Sequence, residues 1–558
     1  MHTASRRLVA LLLALILITP PLADASAYNG RPKLVVVIIV DQFRGDYLER
    51  YRDQFVPGGF RLFLDRGANF TECHYDYANT KTAPGHATLF TGTYTSGHGI
   101  IGNEWYDPAR KKSVSSVEDV NFKLVGAKST DTGASPRNLV ASTVTDELKL
   151  ATQGKARVFS VSLKDRSAIL PGGRSANGAY WIEKDSGLWI TSEFYAKELP
   201  AWVASFNAQK RNEKYWNLTW KDAKGNVLRT TDPGQKDIDG SALGFYDIVG
   251  RTPFSNDYHF EFVRELVVNE KVGTGPATDF LVISLSSYDI LGHKIGPDSP
   301  QHAAMTLALD KQLADFFGFL GRQFGLANVW IALSSDHGIA PMSESAQAQR
   351  IPSIRLDTVD LRAQINAALA QKLGARQGGY LRGAYWPILT LNEEAFGSLK
   401  EEEAERLVGE IALTIRQEYA GFYTKAQLRE GRVRPDAWGR KFLNSYSPNG
   451  GWWVMLQPPP FNNAYGNQKY KNDTDHTMPY SYDAHIPLAF FGFPFQPGTY
   501  RTKVEPIDFA VTLSSLLGIN KPSHAIGRVL TEALAPERPR AAAASAEDKK
   551  ADKTEKPQ

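Results

Sequence analysis

Short, continuous apolar runs recur along the chain, and each one ends in polar residues. The first, at residues 33–40, reads KLVVVIIV and is followed by Asp41. Three later runs have the same form, at residues 157–163, 280–285 and 329–333. Runs of this length that are rich in β-branched residues indicate strands buried on both faces of a parallel sheet. Because ligands bind outside the carboxyl ends of such strands, these ends are expected to meet at one site.

Helical patterns lie between the strands, for example at residues 59–66 and 302–320. This alternation predicts an α/β fold, with a central, mostly parallel sheet flanked by helices. Two stretches interrupt the alternation. Residues 181–257 are rich in Trp, Tyr, Asn and Lys, and residues 345–440 contain a charged helical segment. We interpret both as insertions that form cap segments over the functional edge of the sheet.

The two ends of the chain differ from the rest. Residues 1–27 form a signal-peptide pattern, with a charged start, an apolar run and small residues before Tyr28. We therefore expect a periplasmic or secreted protein with no stable membrane association after cleavage. An uncleaved anchor is the alternative, and the paired arginines leave Sec and twin-arginine export open. Residues 28–534 are expected to form the folded domain and residues 535–558 a disordered tail.

Composition narrows the class of protein. The 558 residues include 22% charged and 42% hydrophobic residues, which is typical of a globular protein. The formal net charge is only +4, and Lys and Arg do not cluster on one element, so we expect no nucleic-acid partner. Cys73 is the only cysteine, which excludes an intramolecular disulfide. The oligomeric state is left open, with a monomer favoured.

Aspartate and histidine residues follow the predicted strands. Asp289 and His293 lie four residues apart, so one helical turn brings both side chains to the same face. Asp336 and His337 follow the next strand, and Asp41 follows the first. A lone fragment of this kind is usually structural. Together with a late histidine, these mixed ligands suit zinc, whereas calcium prefers oxygen ligands alone.

Residues 79–86, NTKTAPGH, precede a run that can form a helix. Pro84 fits the first turn of that helix, which places Thr82 at its N-terminus, where free N–H groups favour a bound anion. A neighbouring metal would lower the pKa of the Thr82 hydroxyl and make it a candidate nucleophile. The alternative is a threonine that only caps the helix.

These motifs together resemble the alkaline phosphatase superfamily, and most of all its threonine-nucleophile branch of periplasmic monoesterases from flavobacteria and sphingomonads. The resemblance runs from residue 33 to about residue 529. Its motifs occur in a fixed order: VDQ at 40–42, TAPGH at 82–86, GN at 102–103, SLKDR at 162–166, Asp289 with His293, DHG at 336–338, and DH at 475–476 ahead of YDAHIP at 482–487.

The resemblance implies that residues 28–534 form a catalytic domain with two zinc ions per chain. One ion would be held by Asp289, His293 and His476, and the other by Asp41, Asp336 and His337, with Thr82 bound to the second as alkoxide. Thr82 would attack phosphorus and form a phosphothreonine, and water would then release phosphate. Asn103, Lys164 and Arg166 would contact the phosphoryl oxygens. Small phosphate monoesters are the implied substrates.

Four alternatives accompany this prediction. His485 is a rival to His476, because this branch usually has a glycine after the third histidine and here Thr477 follows His476. A phosphodiesterase or nucleotide pyrophosphatase on the same scaffold would lack the Lys164 and Arg166 pair. A sulfatase would need Cys or Ser in place of Thr82. A non-catalytic metal or phosphate binder would have lost expected residues, and none is missing.

Overall fold

The computed structural model describes residues 31–127 and 132–535. The predicted signal peptide lies outside the described residues, and so does all but the first residue of the predicted tail. The limits of the predicted domain and of its two insertions stay predictions. No helix in the described ranges is both long and apolar enough to cross a membrane.

A ten-stranded sheet forms the centre of the molecule. In spatial order its strands are β20 (Gly498–Tyr500), β2 (Ala68–His74), β19 (His485–Phe491), β12 (Val329–Ser334), β1 (Leu34–Val40), β11 (Asp279–Leu285), β6 (Val158–Ser162), β7 (Gly178–Ile182), β8 (Trp189–Ser192) and β5 (Leu124–Val125). The strands from β12 to β7 are parallel, and β19 and β8 join them antiparallel on either side. The predicted fold class is confirmed.

The four strands predicted from the apolar runs are neighbours in this sheet, in the order β12, β1, β11, β6. Every residue of β1 is fully buried. Leu34, Val36, Ile38 and Val40 pack into the core on one face of the sheet, while Val35, Val37 and Ile39 pack into the core on the other. A strand covered on both faces has no polar alternation, and this is why these runs are continuously apolar.

Helices cover both faces of the sheet and connect its strands. Their bounds are Tyr47–Arg50, Arg61–Arg66, Thr82–Thr91, Thr95–His98, Val144–Ala151, Asp165–Gly172, Ala201–Ala208, Phe245–Ile248, Phe254–Asn269, Ser287–Ile295, Pro300–Phe324, Ser343–Ala348, Thr358–Leu373, Glu401–Ile415, Lys425–Arg429, Ala437–Asn444, Ser481–Ala484 and Ile507–Leu517. The helical patterns at residues 59–66 and 302–320 thus correspond to Arg61–Arg66 and Pro300–Phe324.

Smaller sheets lie outside the central one. A four-stranded sheet has the order β14 (Leu381–Tyr385), β15 (Ile388–Leu391), β17 (Trp453–Gln457), β16 (Gly421–Thr424). One face of this sheet packs into a hydrophobic core of its own, and the other face packs into a core that it shares with β7 and β8 of the central sheet. The remaining pairs are β3 (Glu104–Asp107) with β4 (Lys112–Ser115), β9 (Thr219–Lys221) with β10 (Val227–Thr230), and β13 (Arg355–Asp357) with β18 (Asn463–Tyr465).

Candidate active site

The carboxyl ends of the four neighbouring strands meet at one place. Asp41 follows β1, Lys164 lies two residues beyond β6, and Asp336 lies two residues beyond β12. Asp289 lies in the first turn of helix Ser287–Ile295, which begins directly after β11. All four side chains are buried. The convergence expected from the sequence therefore occurs, and it brings three carboxylates and one ammonium group together.

Histidines complete two neighbouring clusters. The ligand atoms of Asp41, Asp336 and His337 lie within 4.8 Å of one another, and so do those of Asp289, His337 and His476. His293 Nε2 lies 3.1 Å from Asp289 Oδ1 and extends the second cluster. The rings of His337 and His476 stack with 3.5 Å between their centroids, so the clusters are contiguous.

Each of the three clustered histidines donates from Nδ1 to a backbone carbonyl. His293 donates to Thr474 O at 2.8 Å, His337 to Gly338 O at 2.9 Å, and His476 to Thr80 O at 2.6 Å. These bonds direct Nδ1 toward the carbonyls, so Nε2 is the ring nitrogen that faces the carboxylates. Metal-binding histidines in proteins are oriented in this way.

The rival histidine lies elsewhere. His485 donates from Nε2 to Thr71 O at 2.7 Å and stacks on His74, with ring centroids 4.5 Å apart. Among the described residues it joins none of the metal-ligand clusters. Thr477 takes the place of the expected glycine with a φ of 112°, in the region that favours glycine. The backbone N–H of Thr477 donates to Thr80 Oγ1. His476 Nε2 lies 3.8 Å from Asp289 Oδ1.

Lys164 lies between carboxylates of the two clusters. Its Nζ donates to Asp41 Oδ2 at 2.6 Å and to Asp289 Oδ2 at 2.5 Å. Burial disfavours the ammonium, yet Asp289 and Asp41 outweigh burial and raise the pKa of Lys164. Burial, with the charges of Asp289 and Asp336, raises the pKa of Asp41 well above its usual range. The site thus holds more negative charge than this one ammonium can neutralise.

The residues present fit bound zinc. Asp41 Oδ1 and Asp336 Oδ2 are buried and have no hydrogen-bond partner in the described part of the chain. Buried carboxylate oxygens need a cation or a donor, because burying an unpaired charge is costly. Imidazole nitrogen together with carboxylate oxygen is an ordinary donor set for zinc.

Thr82 is the first residue of the buried helix Thr82–Thr91. Its Oγ1 lies 3.4 Å from His337 Nε2. The helix lies very close to the end of β12, since a Cβ added to Gly85 would fall 2.2 Å from the Asp336 carbonyl oxygen. Asn103 Oδ1 accepts from Ala83 N at 2.8 Å, so this side chain is held at the helix N-terminus. The geometry places the Thr82 hydroxyl, the Asn103 side chain and the clusters together.

Arg166 stands apart from the clusters. It lines a cavity of about 390 Å³ with Lys164 and Tyr246. Its Nη1 lies 3.7 Å from Asp165 Oδ1, and its Nε is buried with no hydrogen-bond partner among the described residues. The structure therefore brings Lys164 and the seven predicted metal-ligand positions, Thr82 among them, to one place, with Arg166 in the adjoining cavity.

Comparison with known proteins places the chain in a family. The model of the type I phosphodiesterase / nucleotide pyrophosphatase family matches residues 35–383, more than half of the chain. The chain belongs to this family. The family lies in the alkaline phosphatase superfamily, so the resemblance stated from the motifs is confirmed.

Three relatives within the superfamily match almost end to end. Alkaline phosphatase PafA of Elizabethkingia meningoseptica is 34% identical, over 93% of this chain and 98% of PafA. Alkaline phosphatase PhoV of Synechococcus elongatus is 32% identical, over 90% of this chain and 93% of PhoV. A Myroides odoratus protein that bears the name calcium-transporting ATPase is 33% identical, over 91% of this chain and 96% of its own length. The similarity to alkaline phosphatases supports the predicted enzyme class, a phosphoric monoester hydrolase.

Solved structures of the superfamily are also similar to this chain. The crystal structure of PafA has a TM-score of 0.82 and 32% identity, and the match covers 91% of this chain and all 100% of that one. A second PafA structure carries substitutions at a threonine, an asparagine, a lysine and an arginine, the residue types found here at 82, 103, 164 and 166. Murine ENPP5, with a TM-score of 0.52 and 17% identity, shares the fold alone.

Two polar residues of the site were missed by the sequence reasoning. Gln42 Nε2 donates to Asp289 Oδ1 at 2.7 Å, and its backbone N–H donates to Asp336 Oδ1 at 3.1 Å. Asp475 joins His293 and His476 in a third metal-ligand cluster. Gln42 adjoins Asp41 in the VDQ motif and Asp475 adjoins His476 in the DH motif, and these two adjacencies were the signals in the sequence.

Proposed function

We propose that this chain is an exported, two-zinc phosphomonoesterase in which Thr82 is the nucleophile. The observation that carries the proposal is the position of the Thr82 hydroxyl. It lies at the start of a buried helix, 3.4 Å from His337 Nε2 and beside the Asp/His clusters. A hydroxyl is a weak nucleophile unless a base or a metal lowers its pKa, and this position favours metal activation.

The residues proposed as zinc ligands are Asp41, Asp336 and His337 for one ion, and Asp289, His293 and His476 for the other. Asp475 is a further oxygen ligand within reach of His293 and His476. When bound, two such ions supply Lewis-acid stabilisation of the negative oxygens in an in-line displacement.

Positive charge around the site favours a monoester. Lys164 and Arg166 line the same cavity, and Asn103 is held at the helix N-terminus by the hydrogen bond that its Oδ1 accepts from Ala83 N. A phosphate monoester has one more anionic oxygen than a diester, and cationic donors in a water-poor site stabilise that charge. We therefore assign the phosphoryl contacts to these three side chains.

The chemistry proceeds in two displacements. Thr82 Oγ1 forms a bond to phosphorus while the bond from phosphorus to the alcohol oxygen breaks, and the alcohol leaves after taking up a proton. Water then attacks the phosphothreonine, which releases inorganic phosphate and restores the Thr82 hydroxyl. The cationic side chains hold the phosphoryl oxygens in both steps.

A phosphodiesterase is the second candidate, because the matching family model is named for that activity. The two candidates differ in what they require of Lys164 and Arg166. A diester blocks one phosphoryl oxygen with a second substituent, so a cationic pair at this position contributes less to diester hydrolysis than to monoester hydrolysis.

The test is steady-state hydrolysis of para-nitrophenyl phosphate and of bis-para-nitrophenyl phosphate by zinc-supplemented protein. Thr82→Ala should abolish most monoester turnover while about two zinc ions stay bound, and Thr82→Ser should keep measurable activity. Lys164→Ala and Arg166→Ala should each lower monoester kcat/KM roughly ten- to a hundredfold and lower diester kcat/KM far less.

Arg322→Ala, at an exposed position of helix Pro300–Phe324, is the control and should leave both rates unchanged. Equal losses on both substrates would remove the main support for a monoesterase and favour the second candidate. Full monoester turnover by Thr82→Ala would show that Thr82 is not the nucleophile.

A further inference from the structure

Tyr246 lies where two cavities of the site meet. The cavity of about 390 Å³ is lined by Lys164 and Arg166. A second cavity, of about 320 Å³, is lined by Asp289 and His293. Of the residues that the structure describes, Tyr246 alone lines both cavities. Its side chain therefore stands between the cationic groups assigned to the phosphoryl oxygens and the proposed ligands of one metal ion.

The backbone around Tyr246 is held firmly in place. The residue belongs to the short helix Phe245–Ile248, in the segment between β10 and helix Phe254–Asn269. Phe245 is fully buried, and its backbone N–H donates to Asp185 O at 2.9 Å. The backbone N–H of Tyr246 donates to Lys184 O, also at 2.9 Å. A side chain on so fixed a backbone loses little conformational entropy when it binds a ligand.

The Tyr246 hydroxyl has unused hydrogen-bonding capacity. In the described part of the chain it has no hydrogen-bond partner, and its oxygen is not fully buried. Two tyrosines of the adjacent core differ in this respect. Tyr258 donates to Gly187 O at 2.9 Å, and Tyr288 Oη lies 2.9 Å from Thr306 Oγ1. A tyrosine hydroxyl that is largely removed from water usually finds a partner, and a ligand in the cavities can supply one for Tyr246.

The hydroxyl of Tyr246 stays protonated in the presence of its charged neighbours. Burial raises the pKa of Tyr246 to about 12, although the charges of Lys164 and Arg166 act to lower it. A phosphate monoester is a dianion above about pH 6. The neutral donor and the dianion therefore coexist across the neutral and alkaline range. A hydrogen bond from a neutral donor to an ionised oxygen is stronger than one between two neutral groups.

In-line displacement indicates which substrate atoms reach Tyr246. The nucleophile and the leaving oxygen lie on opposite sides of phosphorus, so the non-bridging oxygens lie between them. Lys164 and Arg166 are the side chains assigned to those oxygens, and Tyr246 shares their cavity. Every phosphate monoester brings the same non-bridging oxygens to this place, whatever its alcohol portion.

We propose that the Tyr246 hydroxyl donates a hydrogen bond to a non-bridging phosphoryl oxygen, beside the contacts from Asn103, Lys164 and Arg166. This inference rests on the proposed function, because it needs a phosphoryl group between Thr82 and the second cavity. It goes further by adding a catalytic residue from the segment predicted to be an insertion, at residues 181–257.

The test removes only the hydroxyl. Tyr246→Phe should lower kcat/KM roughly ten- to a hundredfold on para-nitrophenyl phosphate, phenyl phosphate and methyl phosphate alike. The factor should be similar for all three, since they differ in the alcohol portion and share the phosphoryl group. Inorganic phosphate, which has no alcohol portion, should inhibit the variant about fivefold or more weakly than the native enzyme.

Tyr51→Phe is the matched control. Tyr51 is also a partly buried tyrosine that packs against the core, and it lines neither cavity. This variant should keep native rates and native inhibition by phosphate. Zinc content and thermal melting of both variants should equal those of the native protein, because each change removes one oxygen atom.

Three results would overturn the inference. The first is a Tyr246→Phe variant with rates within about twofold of native. The second is a loss that varies with the alcohol portion while phosphate inhibition stays native, which would place the contact on the leaving portion. The third is a loss of activity together with a loss of zinc, which would show a structural role.

A failure of the proposed function has a different signature. If the zinc-loaded native protein does not hydrolyse para-nitrophenyl phosphate, the proposed function is wrong. Calorimetric titration of the native protein and of Tyr246→Phe with inorganic phosphate then still measures whether the hydroxyl contributes to phosphate binding. Equal affinities in that titration would show that it does not.

Discussion

Gln42 contacts both halves of the site. Its side-chain amide donates to Asp289 and its backbone N–H to Asp336, so one buried residue orients a carboxylate in each cluster. The residue has a φ of 70°, in the left-handed region that is uncommon for residues other than glycine. Hydrogen bonds of this kind hold a carboxylate in the orientation that a metal requires.

Gln42→Met should weaken zinc binding by about ten- to a hundredfold, because Asp289 loses the donor that orients it. Competition with a chromogenic chelator measures the affinity directly, independently of turnover. Gln347→Met is a matched control, since Gln347 makes one side-chain hydrogen bond to a backbone carbonyl at residue 353. Zinc affinity equal to that of the native protein would show that Asp289 is held without Gln42.

At the scale of the elements, the position of helix Thr82–Thr91 depends on its close approach to the end of β12. Gly85 faces the Asp336 backbone with no room for a side chain. Glycine inside a helix destabilises a protein by about 0.5–1 kcal/mol relative to alanine. Helix propensity therefore does not explain Gly85, whereas the lack of space for a side chain does. The approach also sets the distance between Thr82 and His337.

Gly85→Ala should therefore destabilise the protein and lower monoester kcat, because the helix must shift away from Asp336 and carry Thr82 with it. Urea unfolding and steady-state rates on one substrate check both effects. Gly318→Ala is the matched control within helix Pro300–Phe324, where an added Cβ meets only Arg322 Nη1 at 3.4 Å. That variant should be as stable as the native protein or up to about 1 kcal/mol more stable. A Gly85 variant with native stability and rate would contradict the packing argument.

At the scale of the whole molecule, the proposed metal ligands join distant parts of the chain, from Asp41 to His476. Ions that bind only the folded chain stabilise it by mass action, by about 2.7 kcal/mol when the free ion is at a hundred times its Kd. The buried carboxylates would add to this effect, since without a cation their charges repel.

Chelation should therefore lower Tm by several degrees and abolish turnover, and added zinc should restore both. Differential scanning calorimetry of the native protein and of Thr82→Ala checks this. The Thr82 variant should show the same zinc-dependent shift in Tm while staying inactive, which separates stability from chemistry. A Tm that does not respond to chelator in a protein verified to be stripped of metal would contradict the assignment of buried metal ligands.

The local pattern of the sequence determined the centre of the molecule. Continuous β-branched runs predicted β1, β6, β11 and β12, because a strand buried on both faces leaves that pattern without reference to its partners. The polar residues directly after these strands predicted where a site would form. Asp289 and His293 needed only the geometry of one helical turn to be predicted as a pair.

Tertiary structure alone decided contacts between residues far apart in the chain. The sequence favoured His476 but left His485 as a rival, and the placement of the 474–477 segment beside Thr80 is what separates their positions. The position of Lys164 between two carboxylates depends on how separate segments pack. Local apolar spacing sets which element forms, whereas the position of a polar side chain against a distant partner is set by packing, which no local pattern encodes.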